Sequence, residues 1–295
     1  MNIYCLSLGR SSERRAMMES LFKDEVIIYI DAVDGLDFAT KSDPSGSTWK
    51  KTSRARLVQE GILDEVSKLS PTQAACNLSH FSALEAFLKT EEEFCIVLED
   101  DVMPTEVLSR AWKNGKSLES FVEFPAGCDM LYLCDSGECR NVIQLADSEG
   151  RIKQAFTLMA YAITRKGAKT CLSVGKPTRW LLDYQFPVSC YPKHKFPKEL
   201  LPDRLKGMPS IDARAFVSGG PIKHSELAQI SFLGHDVNNR LHPTSVDRRI
   251  NIRRREHLDS IEASRSIHEE MFGIVRNRRQ VTKYRKGSTH GRTNE

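Results

Sequence analysis

Residues 95–102 read Cys-Ile-Val-Leu-Glu-Asp-Asp-Val. The apolar run from Phe94 to Leu98 is short and continuous, which predicts a strand buried on both faces, as parallel sheets require. It ends abruptly in three carboxylates, Glu99, Asp100 and Asp101. In open α/β sheets ligands bind at the C-terminal edge of the strands. Consecutive acids repel one another, and their desolvation is costly. A divalent cation offsets both costs. Hard oxygen ligands favour Mg²⁺ or Mn²⁺, which commonly bridge one or two carboxylates to substrate phosphates. A solvated acidic turn is the alternative reading of the same residues.

Upstream, residues 3–8 (IYCLSL) predict a buried strand, and Ser11 and Ser12 open a helix to about residue 22 with Met17, Met18 and Leu21 inward. Residues 26–30 (VIIYI) predict a second buried strand. This strand–helix–strand opening implies an α/β domain with a parallel sheet. Residues 31–69 are a polar excursion with one modest helix near 55–66. Ser70-Pro71-Thr72-Gln73 then combines a capping serine, proline at the first helical position and glutamine at the capping-box position. The helix it starts runs to about residue 89, with Ala74, Leu78, Phe81, Leu84 and Leu88 along one face.

Downstream, strands are expected at 129–133 and 157–163, a hairpin over 141–156, and a helix over 165–174 ended by Gly175. Residues 191–221 are proline-rich and read as a long loop. Residues 254–276 carry a helical apolar pattern.

The chain has 295 residues, 40% hydrophobic and 28% charged, enough for one sizeable core. The net charge of +4 is uneven: residues 248–295 hold 13 Lys+Arg against 6 Asp+Glu, leaving −3 for the rest. We expect a domain over 1–247 and a basic helical extension with a disordered tail over 248–295. That extension suggests an anionic partner, either a membrane surface or nucleic acid. Aromatic residues are sparse there, with only Phe272 and Tyr284, so base-stacking platforms are not evident. The eight cysteines lack a paired metal-binding spacing and read as reduced, mostly buried thiols. No leader or membrane-spanning run is evident, so a cytoplasmic or membrane-peripheral protein is expected.

CIVLEDDV resembles the acidic motif of glycosyltransferase family 25, which includes bacterial lipooligosaccharide and procollagen galactosyltransferases. Three more pieces match in order: Cys5-Leu6-Ser7-Leu8 through Arg14-Arg15-x-Met17, Asp31-Ala32-Val33-Asp34-Gly35, and Ala75-Cys76-Asn77-Leu78-Ser79-His80. The last departs from the family pattern in its first position, Ala75 in place of glycine. Ala160-Tyr161-Ala162-Ile163-Thr164 with Gly167-Ala168 is similar to a later segment, and Asp183 falls where the family has an acid after a proline that is absent here.

The resemblance implies a GT-A-like, Rossmann-type, mostly parallel sheet flanked by helices. It implies an inverting transfer of a hexose, galactose favoured, from a UDP-sugar to a glycan or glycolipid hydroxyl. Asp101, with Glu99, would hold Mn²⁺ or Mg²⁺ on the donor diphosphate, and Asp100 would shape the donor site. Asp183 is the candidate base. Leu8, Arg14, Arg15, Asp34, Ser79 and His80 are candidate donor-site residues. Arg forks match phosphate geometry, Asp34 suits ribose hydroxyls, and His80 faces donor or acceptor. Each also has a structural reading: an exposed helix pair, turn chemistry, a hydrogen-bonding helical histidine. Two other functions stay open, namely sugar transfer to modified DNA and metal-dependent phosphoryl transfer or hydrolysis.

Overall fold

The computed structural model describes residues 1–42, 48–135, 158–179, 181–182, 211–216 and 220–224, all within one compact unit. The first strand, β1 (Asn2–Ser7), lies between β2 (Ile27–Asp31) and β3 (Phe94–Glu99), parallel to both. Ser7 pairs with Asp31 and Leu6 with Glu99, so the three C-termini line up along one sheet edge. This alignment sets the acidic triplet beside the loop that follows β1.

The rest of the sheet mixes directions. β6 (Ala160–Thr164) runs antiparallel to β3 and to β5 (Met130–Asp135). Two short strands, β7 (Ala213–Phe216) and β8 (Ile222–His224), pair parallel with β5, and β4 (Val102–Pro104) pairs antiparallel with β8. Parallel pairs outnumber antiparallel ones, within the expected α/β class. β7 falls inside the stretch expected to be loop. Its four residues, Ala-Arg-Ala-Phe, join through the backbone ladder rather than through an apolar run.

α1 (Ser12–Leu21) and α3 (Pro71–Leu88) cover this sheet. Met18 from the first and Phe22 at its C-cap, with Phe81, Leu84 and Phe87 from the second, join Cys5, Ile96, Leu98 and Tyr161 in the main core. α3 begins as expected: the Gln73 N–H donates to Ser70 Oγ and the Ser70 N–H donates to Gln73 Oε1. Its burial exceeds one face, because it also seals a smaller core of Phe38, Leu57, Leu63, Leu69, Ala74 and Ala75. The other α-helices are α2 (Lys51–Gln59), α4 (Glu106–Lys113) and α5 (Arg165–Gly175).

Two further expectations are corrected. The strand expected at 26–30 is not buried: it starts only at Ile27, Ile28 is 39% exposed, and Val26 before it is 86% exposed. It ends the strand order, so one of its long sides has no strand neighbour among the described residues. The helix expected near 55–66 is α2 (Lys51–Gln59). It stops because Gly61 turns the chain at φ +67°, which lets Leu57 and Leu63 share the smaller core. The expected hairpin over 141–156, Asp183, and the helix and tail beyond 247 lie outside the described residues. Among the described residues, no helix is long and apolar enough to cross a membrane. Cys5, Cys95, Cys128, Cys134 and Cys171 are buried and form no disulfide, and Cys76, also in none, is exposed.

One close approach fixes the turn before α2. A Cβ on Gly35 would lie 2.5 Å from Thr72 Cα and 2.9 Å from Thr72 N, in the first turn of α3. Gly35→Ala must therefore push the turn off the helix. We expect a loss of about 1–3 kcal/mol, the usual cost of overpacking, read as a lower urea midpoint at unchanged slope. An unmoved midpoint would contradict the packing described.

Candidate active site

The triplet follows a strand anchored in the core, where Cys95, Ile96, Val97 and Leu98 are fully buried. Its three carboxylates meet three different surroundings. Asp100 is 6% exposed and ion-paired with Arg14 of α1. Glu99 Oε1 lies 3.2 Å from His80 Nε2. His80, buried on α3, has its other ring nitrogen 3.1 Å from the Tyr161 hydroxyl of β6. Asp101 differs: its Oδ1 is buried with no hydrogen-bond partner among the described residues.

The electrostatics follow from this arrangement. Burial pushes the Asp101 carboxyl up to about 7, the Glu99 and Asp100 charges add to the rise, and Arg14 opposes it. An oxygen that is desolvated, unpaired and crowded by like charge is the kind of ligand a hard cation satisfies. The residues present therefore fit a divalent cation at Asp101, with Glu99 as its neighbour in the donor set.

The other sequence-nominated residues take defined places. Arg15 Nη2 donates to Ser7 O at 3.0 Å and also pairs with Asp31, and its guanidinium lies 5.1 Å from the Tyr29 ring centroid. It ties the ends of β1 and β2 to α1. Leu8 is half-buried at the turn, where its carbonyl accepts from the Ser11 N–H at 2.8 Å. Ser79 Oγ donates to Ala75 O at 2.8 Å and accepts from the Val33 N–H at 2.9 Å, fastening the turn after β2 to α3.

Asp34 accepts from Arg10 Nε at 2.7 Å and from the Leu36 N–H at 3.0 Å. Burial pushes its carboxyl up, but those two bonds and the Arg10 charge outweigh burial and hold it below the usual range. Arg14, Glu99, Asp100, Asp101 and His80 thus form one connected group. Ser79 and Asp34 bind their own turn. Sequence reading did not nominate Arg10 or Tyr161 for the site. Tyr161 had a signal, a lone phenol inside the apolar strand Ala-Tyr-Ala-Ile-Thr.

The raised Asp101 carboxyl makes stability depend on pH. An unfolded aspartate titrates near ~3.9. Folding therefore favours the protonated form, a contribution complete below that value and lost as pH rises through about 7. The metal-free protein should lose melting temperature between about pH 4 and pH 7. Mn²⁺ should recover more of it at the upper end, and Asp101→Asn should flatten this part of the profile. An unchanged slope in that variant would assign the dependence elsewhere.

Residues 1–126, which include every site residue named except Tyr161 and Asp183, match the family model for glycosyltransferase family 25 (LPS biosynthesis protein). No curated protein matches the chain. Among solved structures, the galactosyltransferase LgtC in complex with donor and acceptor sugar analogs aligns over 77% of this chain and 87% of that one, at 11% identity and TM-score 0.32. A glycosyltransferase involved in glycosylation of the major capsid of PBCV-1 aligns over 73% and 80%, at 11% identity and TM-score 0.31. Mouse xyloside xylosyltransferase 1 in its apo form aligns over 77% and 84%, at 10% identity and TM-score 0.30.

Proposed function

We propose that this chain, whose residues 1–126 match the family model for glycosyltransferase family 25, is a glycosyltransferase that moves a hexose from a UDP-sugar to a glycan hydroxyl with inversion, assisted by Mn²⁺ or Mg²⁺. Galactose is the first donor sugar to try. The observation that carries the cation and donor reading is the unpaired, buried Oδ1 of Asp101 at the shared C-terminal edge of β1, β2 and β3.

Asp101 and Glu99 would hold the cation, which when bound neutralises charge developing on the departing diphosphate. The chain's own residues arrange the rest. Arg14 neutralises Asp100, so one of the three charges is cancelled without a ligand. His80, held by Tyr161, fixes one oxygen of Glu99. Arg15 keeps Ser7 and Asp31 aligned beneath the turn at Leu8. Asp183 remains the candidate to accept the proton of the acceptor hydroxyl as the anomeric carbon is attacked from the opposite face.

Incubation of the full chain with UDP-galactose, UDP-glucose or UDP-N-acetylglucosamine tests this reading. Slow UDP release that needs Mn²⁺ and stops with a chelator is the expected result. Phosphodiester hydrolysis without UDP release from any donor would overturn it in favour of a metal-dependent hydrolase.

A further inference from the structure

Cys76 and His80 stand four residues apart on α3 and share one face of the helix. Glu99 meets them from the end of β3. Cys76 Sγ, a His80 ring nitrogen and a Glu99 carboxylate oxygen all lie within 4.8 Å of one another. We infer that these three side chains form a site for a thiophilic divalent cation such as Zn²⁺, distinct in chemistry from the hard-oxygen site at Asp101 but sharing Glu99 with it.

The donor set selects the metal. Thiolate and imidazole favour zinc, whereas carboxylates alone suit Mg²⁺ and Mn²⁺. Tetrahedral zinc, with bonds of about 2.0–2.3 Å, holds its ligand atoms roughly 3.2–3.8 Å apart. His80 Nε2 and Glu99 Oε1 already stand 3.2 Å apart. The remaining adjustment falls on Cys76, an exposed side chain that turns about a single bond.

The surroundings of His80 suit a ligand. Metal-bound histidines usually donate their second ring N–H to a fixed acceptor, which orients the ring. Tyr161 Oη, 3.1 Å from Nδ1, occupies that place. A phenol both donates and accepts. It therefore serves the metal-free ring, whose Nε2–H faces Glu99, and the metal-bound ring, whose Nε2 lone pair faces the cation and whose Nδ1–H points to Tyr161. One thiolate, one carboxylate and a neutral imidazole balance Zn²⁺. The Cys76 thiol proton leaves to solvent, and water fills the fourth position.

A consequence follows for activity, and it rests on the proposed function. Glu99 cannot serve both cations fully, so zinc in this site lowers Mn²⁺-supported transfer.

Titration of the full chain with Co²⁺, under a phosphine reductant, tests the site without needing transferase activity. The expected result is a near-ultraviolet sulfur-to-cobalt charge-transfer band, with strong visible bands of four-coordinate cobalt, saturating at one equivalent and bleached by Zn²⁺. Cys76→Ser, an exposed change, should abolish the ultraviolet band. His80→Gln should weaken Co²⁺ binding by at least about tenfold. A wild-type chain without the band, or a Cys76→Ser protein that keeps it, overturns the site. Zinc inhibition of UDP release, measured against each protein's own Mn²⁺-supported rate, should weaken in Cys76→Ser. Intact spectra with no zinc inhibition would contradict the role given to Glu99 in catalysis and leave the zinc site standing.

Discussion

Asp101→Asn is expected to lower sugar-transfer turnover by on the order of 10³-fold while the protein stays folded. The size follows from the charge. Neutralising a departing diphosphate is worth several kcal/mol, and each ~1.4 kcal/mol is tenfold in rate. The fold should survive because the carboxylate costs the metal-free protein stability: Oδ1 is buried without a partner, and burial raises the carboxyl. An amide of the same shape relieves that charge. Near pH 8 and without metal, the variant should therefore melt no lower than the wild type while its turnover collapses. Steady-state UDP release and a thermal melt on one preparation separate the two effects. Full activity would remove Asp101 from the cation site. Lost activity with a lower melting temperature would make its role structural.

Arg14→Met tests the second side of the triplet. Asp100 is 6% exposed, and Arg14 is the ion-pair partner the structure gives it. Removing the guanidinium leaves a buried carboxylate unpaired, beside Glu99 and Asp101. We expect a loss of about 3 kcal/mol, at the low end for such pairs because Arg14 is itself 30% exposed. The Asp101 carboxyl should also move further up, since Arg14 is the charge that opposes its rise. Mn²⁺ should then recover part of the lost stability. Adding Asp100→Asn should recover most of the rest, a coupling that urea denaturation of both single variants and the double variant resolves. A cost below about 1 kcal/mol, or no recovery in the double variant, would show that Asp100 does not depend on Arg14.

The elements around the site were legible where one local signal sufficed. The apolar run before Glu99 gave β3, and Ser70 to Gln73 gave the start of α3 with its capping bonds. The direction of β6 was not legible, because Ala-Tyr-Ala-Ile-Thr has the same pattern whichever way it pairs. Nor was the end of α2, where the smaller core and Gly61 override a continuing periodicity. Within the site, the sequence shows three similar acids in a row. What distinguishes them is contact across long stretches of chain: Arg14 reaches Asp100, and His80 reaches Glu99, which leaves Asp101 Oδ1 unpaired. No local window holds those pairings. Arg10 on Asp34 and Tyr161 on His80 were hidden for the same reason.

The proposed function turns on Asp101 anchoring a cation on the diphosphate of a nucleotide sugar. Thermal melting of the wild type and Asp101→Asn with UDP-galactose, in Mn²⁺ or in chelator, tests it most directly. At about 100 times its Kd a ligand stabilises the native state by roughly 2.7 kcal/mol. We expect a donor shift of that size in the wild type with Mn²⁺, and none with chelator or in Asp101→Asn. An equal shift in chelator, or in the variant, would contradict it.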